Sequence, residues 1–222
     1  MSKTILILGA TGLTGGITTQ LLLDDPEVAH VKIVTRRPSG INHTKAQDIV
    51  CDLMDLGAIA SHFTGDAVIC CIGTTKAQTP DKDEYYKIDH GIPVAAAQLA
   101  QQQQIPQFIV VSSLGTSVKS PFFYVRTKAE MERDVKKLGI GFTHIMKPSF
   151  INGRPDAARK GEKWLKRGMA VLDAILIGPL KKYRSVMASD IAKAMVYLVH
   201  HPLPDIDIDN PQIKVLSQRY ES

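Results

Sequence analysis

Short runs that are apolar throughout recur along the chain, and helix-length amphipathic stretches separate them. The runs are Thr4–Leu8, Val31–Thr35, Asp48–Cys51, Ala67–Ile72, Gln107–Ser112 and Gly141–Met146. Between them the pattern predicts helices near 13–24, 55–61, 83–103, 124–138 and 189–200. Strands without polar alternation that alternate with helices imply a parallel sheet covered on both faces. The expected class is therefore α/β, a doubly wound, mostly parallel sheet. Pro93 falls inside the third helix segment, so that helix is expected to begin near Asp89 or to kink there. A late apolar piece, Ile213–Leu216, reads as a further edge strand.

The chain has 222 residues, of which 44% are hydrophobic and 22% charged, ordinary values for one globular domain with a real core. Residues 1–222 are taken as one domain, with 150–185 and 202–222 forming a lid and C-terminal elements. No apolar run approaches the ~18 residues of a membrane span. The N-terminal apolar stretch lacks a signal peptide's cleavage site. Cys51, Cys70 and Cys71 cannot all pair and read as reduced core residues. Together these features predict a cytoplasmic setting without a membrane partner.

The charge of +5 is unevenly placed: residues 119–184 alone carry a net +10. That basic segment lacks zinc-finger spacing and an aromatic RNA-binding signature, so nucleic acid is not the expected partner. A solvated face with a site for an anionic ligand accounts for it.

Where that anion sits is suggested by the first strand and the turn after it, "TILILGATGLTGGI". Gly9, Gly12 and Gly15 follow an apolar strand and open a helix. The first glycine permits a sharp turn, the second lets backbone approach a ligand, and the third lets the helix pack close to the strand. The helix N-terminus then offers unpaired N–H groups and partial positive charge to a diphosphate. Gly9, Thr11, Gly12, Leu13, Thr14 and Gly15 make up this expected cradle. The second strand ends "VTRRPSG", without the acid that a ribose 2′-hydroxyl needs. Arg36 and Arg37 suit a 2′-phosphate through forked, charge-assisted hydrogen bonds. NADP(H) is the expected cofactor. Asp52 and Leu53 are expected to border the adenine. Cys71, Gly73, Thr74 and Thr75 are expected to bring backbone near the ribose and diphosphate.

Chemistry is suggested by "SPFFYVRTKAEMER", which sets Tyr124 and Lys128 four residues apart on one helix face. A tyrosine beside an ammonium suits proton transfer to a carbonyl oxygen while hydride moves to or from the cofactor. Lys128 is also placed to bind ribose hydroxyls. Ser112 and Ser113 end the fifth strand, and either hydroxyl is a candidate for stabilising the developing oxyanion.

Taken together, "GATGLTG", "CCIGTT", "VVSSLG" and "YVRTK" resemble the atypical short-chain dehydrogenases/reductases. The run "ICCIGTT…YYKIDHGIPVAAAQLA", with "FFYVRTKAEME" and "GEKWL", is similar to the Tat-interacting-protein branch of NADPH-binding proteins. The resemblance implies a Rossmann fold, bound NADP(H), and a catalytic set of Ser113 (Ser112 being the other candidate), Tyr124 and Lys128. It also implies that the loop from Lys147 and Pro148 to Gly153 closes over the nicotinamide, and that Arg184 stands where a basic residue reaches the cofactor. Asp89 departs from the Asn that many relatives use in a proton relay. Trp164 and Met169 are candidates for a pocket, a core or a dimer contact.

Two functions compete on these grounds. One is an NADPH-dependent oxidoreductase acting on a small carbonyl or alcohol substrate. The other is a non-catalytic NADP(H)-binding regulator that carries a protein or nucleic-acid partner; a homodimer fits either. The seven histidines show no zinc-ligand spacing, so no metal is expected. Neither a G-x-S-x-G elbow nor a G-K-[ST] loop is present, which disfavours a hydrolase or an ATPase.

Overall fold

A computed structural model describes residues 2–153, 184–204 and 207–221. Strands β1 (Lys3–Leu8), β2 (Val28–Thr35), β3 (Ala46–Val50), β4 (Ala67–Cys70), β5 (Gln107–Val111) and β6 (Phe142–Lys147) belong to one sheet. The short strand pair β7 (Ile151–Asn152) and β8 (Val186–Met187) stands apart, and β9 (Asp207–Asp209) returns to the main sheet. The main sheet runs β3-β2-β1-β4-β5-β6-β9, parallel at every pairing. The doubly wound α/β class is thus what the chain adopts.

Alternate residues of β1 feed two cores. Ile5 and Ile7 pack with Leu22, Ile191, Met195 and Leu198, from α1 (Leu13–Asp24) and α5 (Ala188–His200). Leu6 and Leu8 pack with Ala96, Leu99, Met131 and Val135, from α3 (Ile92–Gln102) and α4 (Phe123–Lys136). Both faces of β1 are fully buried, which is why its sequence shows no polar alternation.

One local expectation is corrected, and the disturbance expected near Asp89 is present in a definite form. Ile213–Leu216 is not a strand but lies within α6 (Asn210–Glu221). Pro211 suits the first turn of a helix, and Ile213 and Leu216, three apart, face the core while Val215 is exposed. The edge strand is instead Asp207–Asp209, against Ile145–Lys147. The long helix near 83–103 is divided: α2 (Lys82–Tyr86) passes through one π-helical turn, Lys87–Gly91, into α3. Pro93 has no N–H to give to the carbonyl four residues back, and the backbone widens, with the Ile92 N–H reaching the Lys87 carbonyl. Asp89 sits in that turn.

The three cysteines are unpaired, as expected. Burial pushes the Cys70 thiol up to about 11. Among the described residues, no helix is long and apolar enough to cross a membrane.

Candidate functional site

The chain builds β2 and β3 on one side of β1 and β4 to β6 on the other, so the strand order reverses between β1 and β4. A crevice at the carboxyl ends of the strands is expected at such a point. There the molecule has a cavity of about 530 Å³. One wall is the start of α1, Gly12 to Gly15; the floor is Cys71–Thr74; the other wall holds Asp89, Ser112, Tyr124 and Lys128. Phe150–Gly153 close one side.

The glycine turn is sterically forced. Gly9 adopts φ +85°, and a Cβ there would lie 2.8 Å from the Cys71 carbonyl. At Gly15 a Cβ would lie 2.1 Å from the Gly9 carbonyl oxygen. The Gly12 N–H donates to that same oxygen at 3.0 Å, and the first helical bond runs from the Gly16 N–H to the Gly12 carbonyl at 2.8 Å. No side chain caps α1. The amides of Leu13, Thr14 and Gly15 therefore open the helix without intrahelical partners, on residues that line the cavity. Such bare amides at a helix start suit an anion such as a diphosphate.

On the opposite wall the spacing of four in α4 puts Tyr124 and Lys128 on the same cavity. Tyr124 is 43% exposed, whereas Lys128 is buried and ion-paired to the fully buried Asp89, Nζ to Oδ1 at 2.8 Å. The other oxygen of Asp89 accepts from the Thr74 N–H at 2.7 Å. Asp89 thus ties the lysine to the loop after β4. A neighbouring tyrosine, Tyr85, is buried and donates its hydroxyl to the Thr74 carbonyl at 3.3 Å. Burial, then the charge of Asp89 and the nearby Tyr124, hold that phenol well above its ordinary value. Of the two tyrosines, only Tyr124 lines the cavity.

Removing Asp89 would strand a buried ammonium. We expect Asp89→Leu to destabilise the fold by about 3–5 kcal/mol, the usual cost of breaking a buried pair from one side. Denaturant unfolding of the variant against the parent checks this, and a change below about 1 kcal/mol would contradict it.

Of the two candidate serines, Ser112 lines the cavity and Ser113 does not. Ser112 is buried and donates to Glu132, whose carboxylate also accepts from Thr116 and pairs with Lys147 at 2.9 Å. Glu132 is a residue the sequence reading missed. Its signal was present, since Tyr124, Lys128 and Glu132 continue one i, i+4, i+8 face, but its partners come from other elements.

Other expected site residues lie outside the cavity wall. Arg36 and Arg37 are exposed just beyond β2. Leu8 is paired with Val34, so both arginines follow at the same sheet edge as Gly9. Leu53 is buried in the core. Asp52 accepts from the Met54 N–H at 2.9 Å, forming a tight turn. Thr11, Thr75 and Pro148 do not line the cavity either; the Pro148 carbonyl accepts from the Leu114 N–H at 2.8 Å. The rest of the loop expected to close over the site does reach the cavity through Phe150–Gly153. Arg184 stands beside that loop, its carbonyl accepting from Ser149 and Asn210. Trp164 and Met169 lie outside the described residues. Among the described residues no cluster of His, Cys, Asp and Glu could hold a metal.

The chain is 33% identical over 165 residues to "Protein fmp52, mitochondrial" of Aspergillus clavatus, covering 71% of this chain and 70% of that protein. To "Protein FMP52, mitochondrial" of Meyerozyma guilliermondii it is 27% identical over 216 residues, covering 96% and 90%. Among solved structures, the Bordetella bronchiseptica enzyme WbmH in complex with NAD+ superposes with a TM-score of 0.70 at 15% identity, over 97% of this chain and 79% of that one. A short-chain dehydrogenase/reductase of Saccharomyces cerevisiae, YIR035C, gives 0.67 at 15% identity over 97% and 99%. These two share the fold.

The relatives' names correct one expectation. They are called mitochondrial in several fungi, which overturns the cytoplasmic setting read from the sequence. Unpaired thiols require only reducing surroundings, and these are not confined to the cytosol. The family description "NAD(P)H-binding" matches residues 9–202, a span that runs from the first glycine of the turn to the end of α5. The chain belongs to this NAD(P)H-binding family.

Proposed function

We propose that the chain is an NADPH-dependent oxidoreductase that interconverts a small carbonyl compound and its alcohol. The observation that carries this reading is the shared cavity: Tyr124 and Lys128 face the same space as the bare amides that open α1. The residues present fit a nicotinamide dinucleotide, because the uncapped amides of Leu13, Thr14 and Gly15 open a helix on the cavity, where a diphosphate can accept from them. When bound, the cofactor supplies or accepts hydride.

The chain's own residues do the rest. Tyr124 gives a proton to the substrate oxygen in reduction and takes it back in oxidation. Lys128, fixed by Asp89, keeps two further N–H donors for ribose hydroxyls and sets positive charge beside the phenol. Leu13, Thr14 and Gly15 hold the diphosphate by their N–H groups. Arg36 and Arg37 take the 2′-phosphate from the sheet edge.

The reading is tested by following NADPH absorbance with a panel of small aldehydes and ketones; consumption with none of them contradicts it. For the phosphate, titrations are expected to show NADPH binding about 1–2 kcal/mol tighter than NADH, the scale of hydrogen bonds to charged groups. Arg36→Glu is expected to erase that preference by repulsion, and equal affinities in the parent would refute the arginine assignment.

A second reading, a cofactor-loaded regulator without turnover, draws support from the closed Lys128–Asp89 pair, which offsets the lysine's charge. Tight cofactor binding with no carbonyl consumed, and partner capture only when loaded, would favour it.

A further inference from the structure

Behind the cavity wall, Glu132 is almost fully buried and gathers three donors from three parts of the chain. Ser112 Oγ lies 2.5 Å from its Oε1, the Thr116 hydroxyl lies 2.9 Å and 3.0 Å from its two oxygens, and Lys147 Nζ lies 2.9 Å from Oε2. Asp207 stands behind Lys147 at 3.5 Å. Burial alone would lower the Lys147 pKa, but the hydrogen bond and charge of Glu132, with those of Asp207, outweigh it and hold it above the ordinary lysine value. Lys147 Nζ thus stands within ion-pair distance of two carboxyl groups, those of Glu132 and Asp207.

That ion pair, with Ser112 and Thr116 donating to the same carboxylate, fixes a proton. An ionised carboxylate only accepts, and a serine hydroxyl has one proton to give. The O···O separation of Ser112 and Glu132 falls in the range of hydroxyl-to-carboxylate bonds. Ser112 therefore directs its hydroxyl proton away from the cavity it lines. Its backbone N–H is also committed, to the Met146 carbonyl at 2.8 Å. The residue has no donor left for the cavity and presents only lone pairs to it. This differs from the sequence-based expectation that a serine here would donate to a developing oxyanion.

We infer that Glu132 is a positioning residue that makes Ser112 a hydrogen-bond acceptor toward the cavity, so that the site selects substrates carrying an O–H donor next to the reacting carbon. The class that fits is the α-hydroxy carbonyl compounds. The substrate carbonyl oxygen takes its hydrogen bond from Tyr124, and the adjacent hydroxyl gives one to Ser112. This rests on the oxidoreductase reading for its substrate half, whereas the proton's direction belongs to the chain alone.

The test has two arms. Neutron diffraction from crystals of the unloaded, deuterium-exchanged protein is expected to show the Ser112 deuteron aimed at Glu132. A deuteron aimed into the cavity overturns the proposal, whatever the activity. In the second arm, kcat/KM is compared for hydroxyacetone and butan-2-one, which are matched in size. Ser112→Ala is expected to cut the hydroxyacetone:butanone ratio about five-fold, the worth of one neutral hydrogen bond. Glu132→Gln is expected to lower the same ratio, because Lys147 claims the amide oxygen and the amide N–H turns the serine proton outward. A Glu132 that only supports the fold would lower Tm and slow both ketones equally, and an unchanged ratio in both variants overturns the substrate half. If Glu132→Gln does not fold, Ser112→Ala and the neutron map still decide. Absence of NADPH turnover in the parent refutes the oxidoreductase reading, while the neutron map still rules on Ser112.

Discussion

Gly15→Ala is expected to unfold the cofactor turn and to abolish nucleotide binding. The added methyl would sit 2.1 Å from the Gly9 carbonyl oxygen, an atom fixed on its other side by the Gly12 N–H. Neither α1 nor the turn can yield by an ångström, because α1 packs Leu22 and Leu23 into the core. A loss of about 3 kcal/mol or more is expected, the upper end for overpacking a tight site. The adjacent Gly16 supplies the control. Its Cβ would meet the Ala10 carbonyl oxygen at 3.4 Å, an ordinary contact. Gly16→Ala should therefore keep NADPH affinity and shift stability by no more than about 1 kcal/mol, in the favourable direction that helix propensity gives. Thermal melts and cofactor titrations on the two variants check the pair. Equal behaviour of both would mean that the turn is not the cradle.

Tyr124→Phe carries the second large effect. The ring's edge contact with Tyr85, centroids 6.3 Å apart, does not need the hydroxyl, so fold and cofactor affinity should be preserved. Loss of the proton donor is expected to lower kcat about 10²- to 10⁴-fold, the usual contribution of general acid–base catalysis. Steady-state rates alongside a cofactor titration separate the two quantities. Undiminished turnover would refute the assigned mechanism, and lost cofactor binding would show that the tyrosine holds the nucleotide instead.

The architecture was legible in the sequence because its signals are local. A strand buried on both faces reads as an unbroken apolar run, as in Ile5–Leu8, and a glycine turn reads as spacing. Ile213–Leu216 was misread because four apolar-rich residues fit strand and helix alike. The proline two residues earlier and the three-residue step between the buried positions decide for helix. The π-helical turn at Lys87–Gly91 was only half legible: Pro93 announced a disturbance, but not its form.

The site was legible where one helix carries it and illegible where charges meet across elements. Tyr124 and Lys128 share a helix face, so spacing alone put them together. Asp89 meets Lys128 from a different helix, and Glu132 meets Ser112 and Lys147 from two strand ends. No periodicity encodes such a meeting. The choice between Ser112 and Ser113 likewise depended on which side chain the end of β5 turns toward the cavity.

The account stands on the claim that the cavity between α1 and α4 receives NADPH with its diphosphate on the bare amides. Crystals of the chain grown with NADPH test this most directly. The expected result is the diphosphate on the N–H groups of Leu13, Thr14 and Gly15, the 2′-phosphate against Arg36 and Arg37, and the nicotinamide beside the Tyr124 hydroxyl. A nucleotide bound away from the glycine turn, or a nicotinamide out of reach of Tyr124, would contradict it.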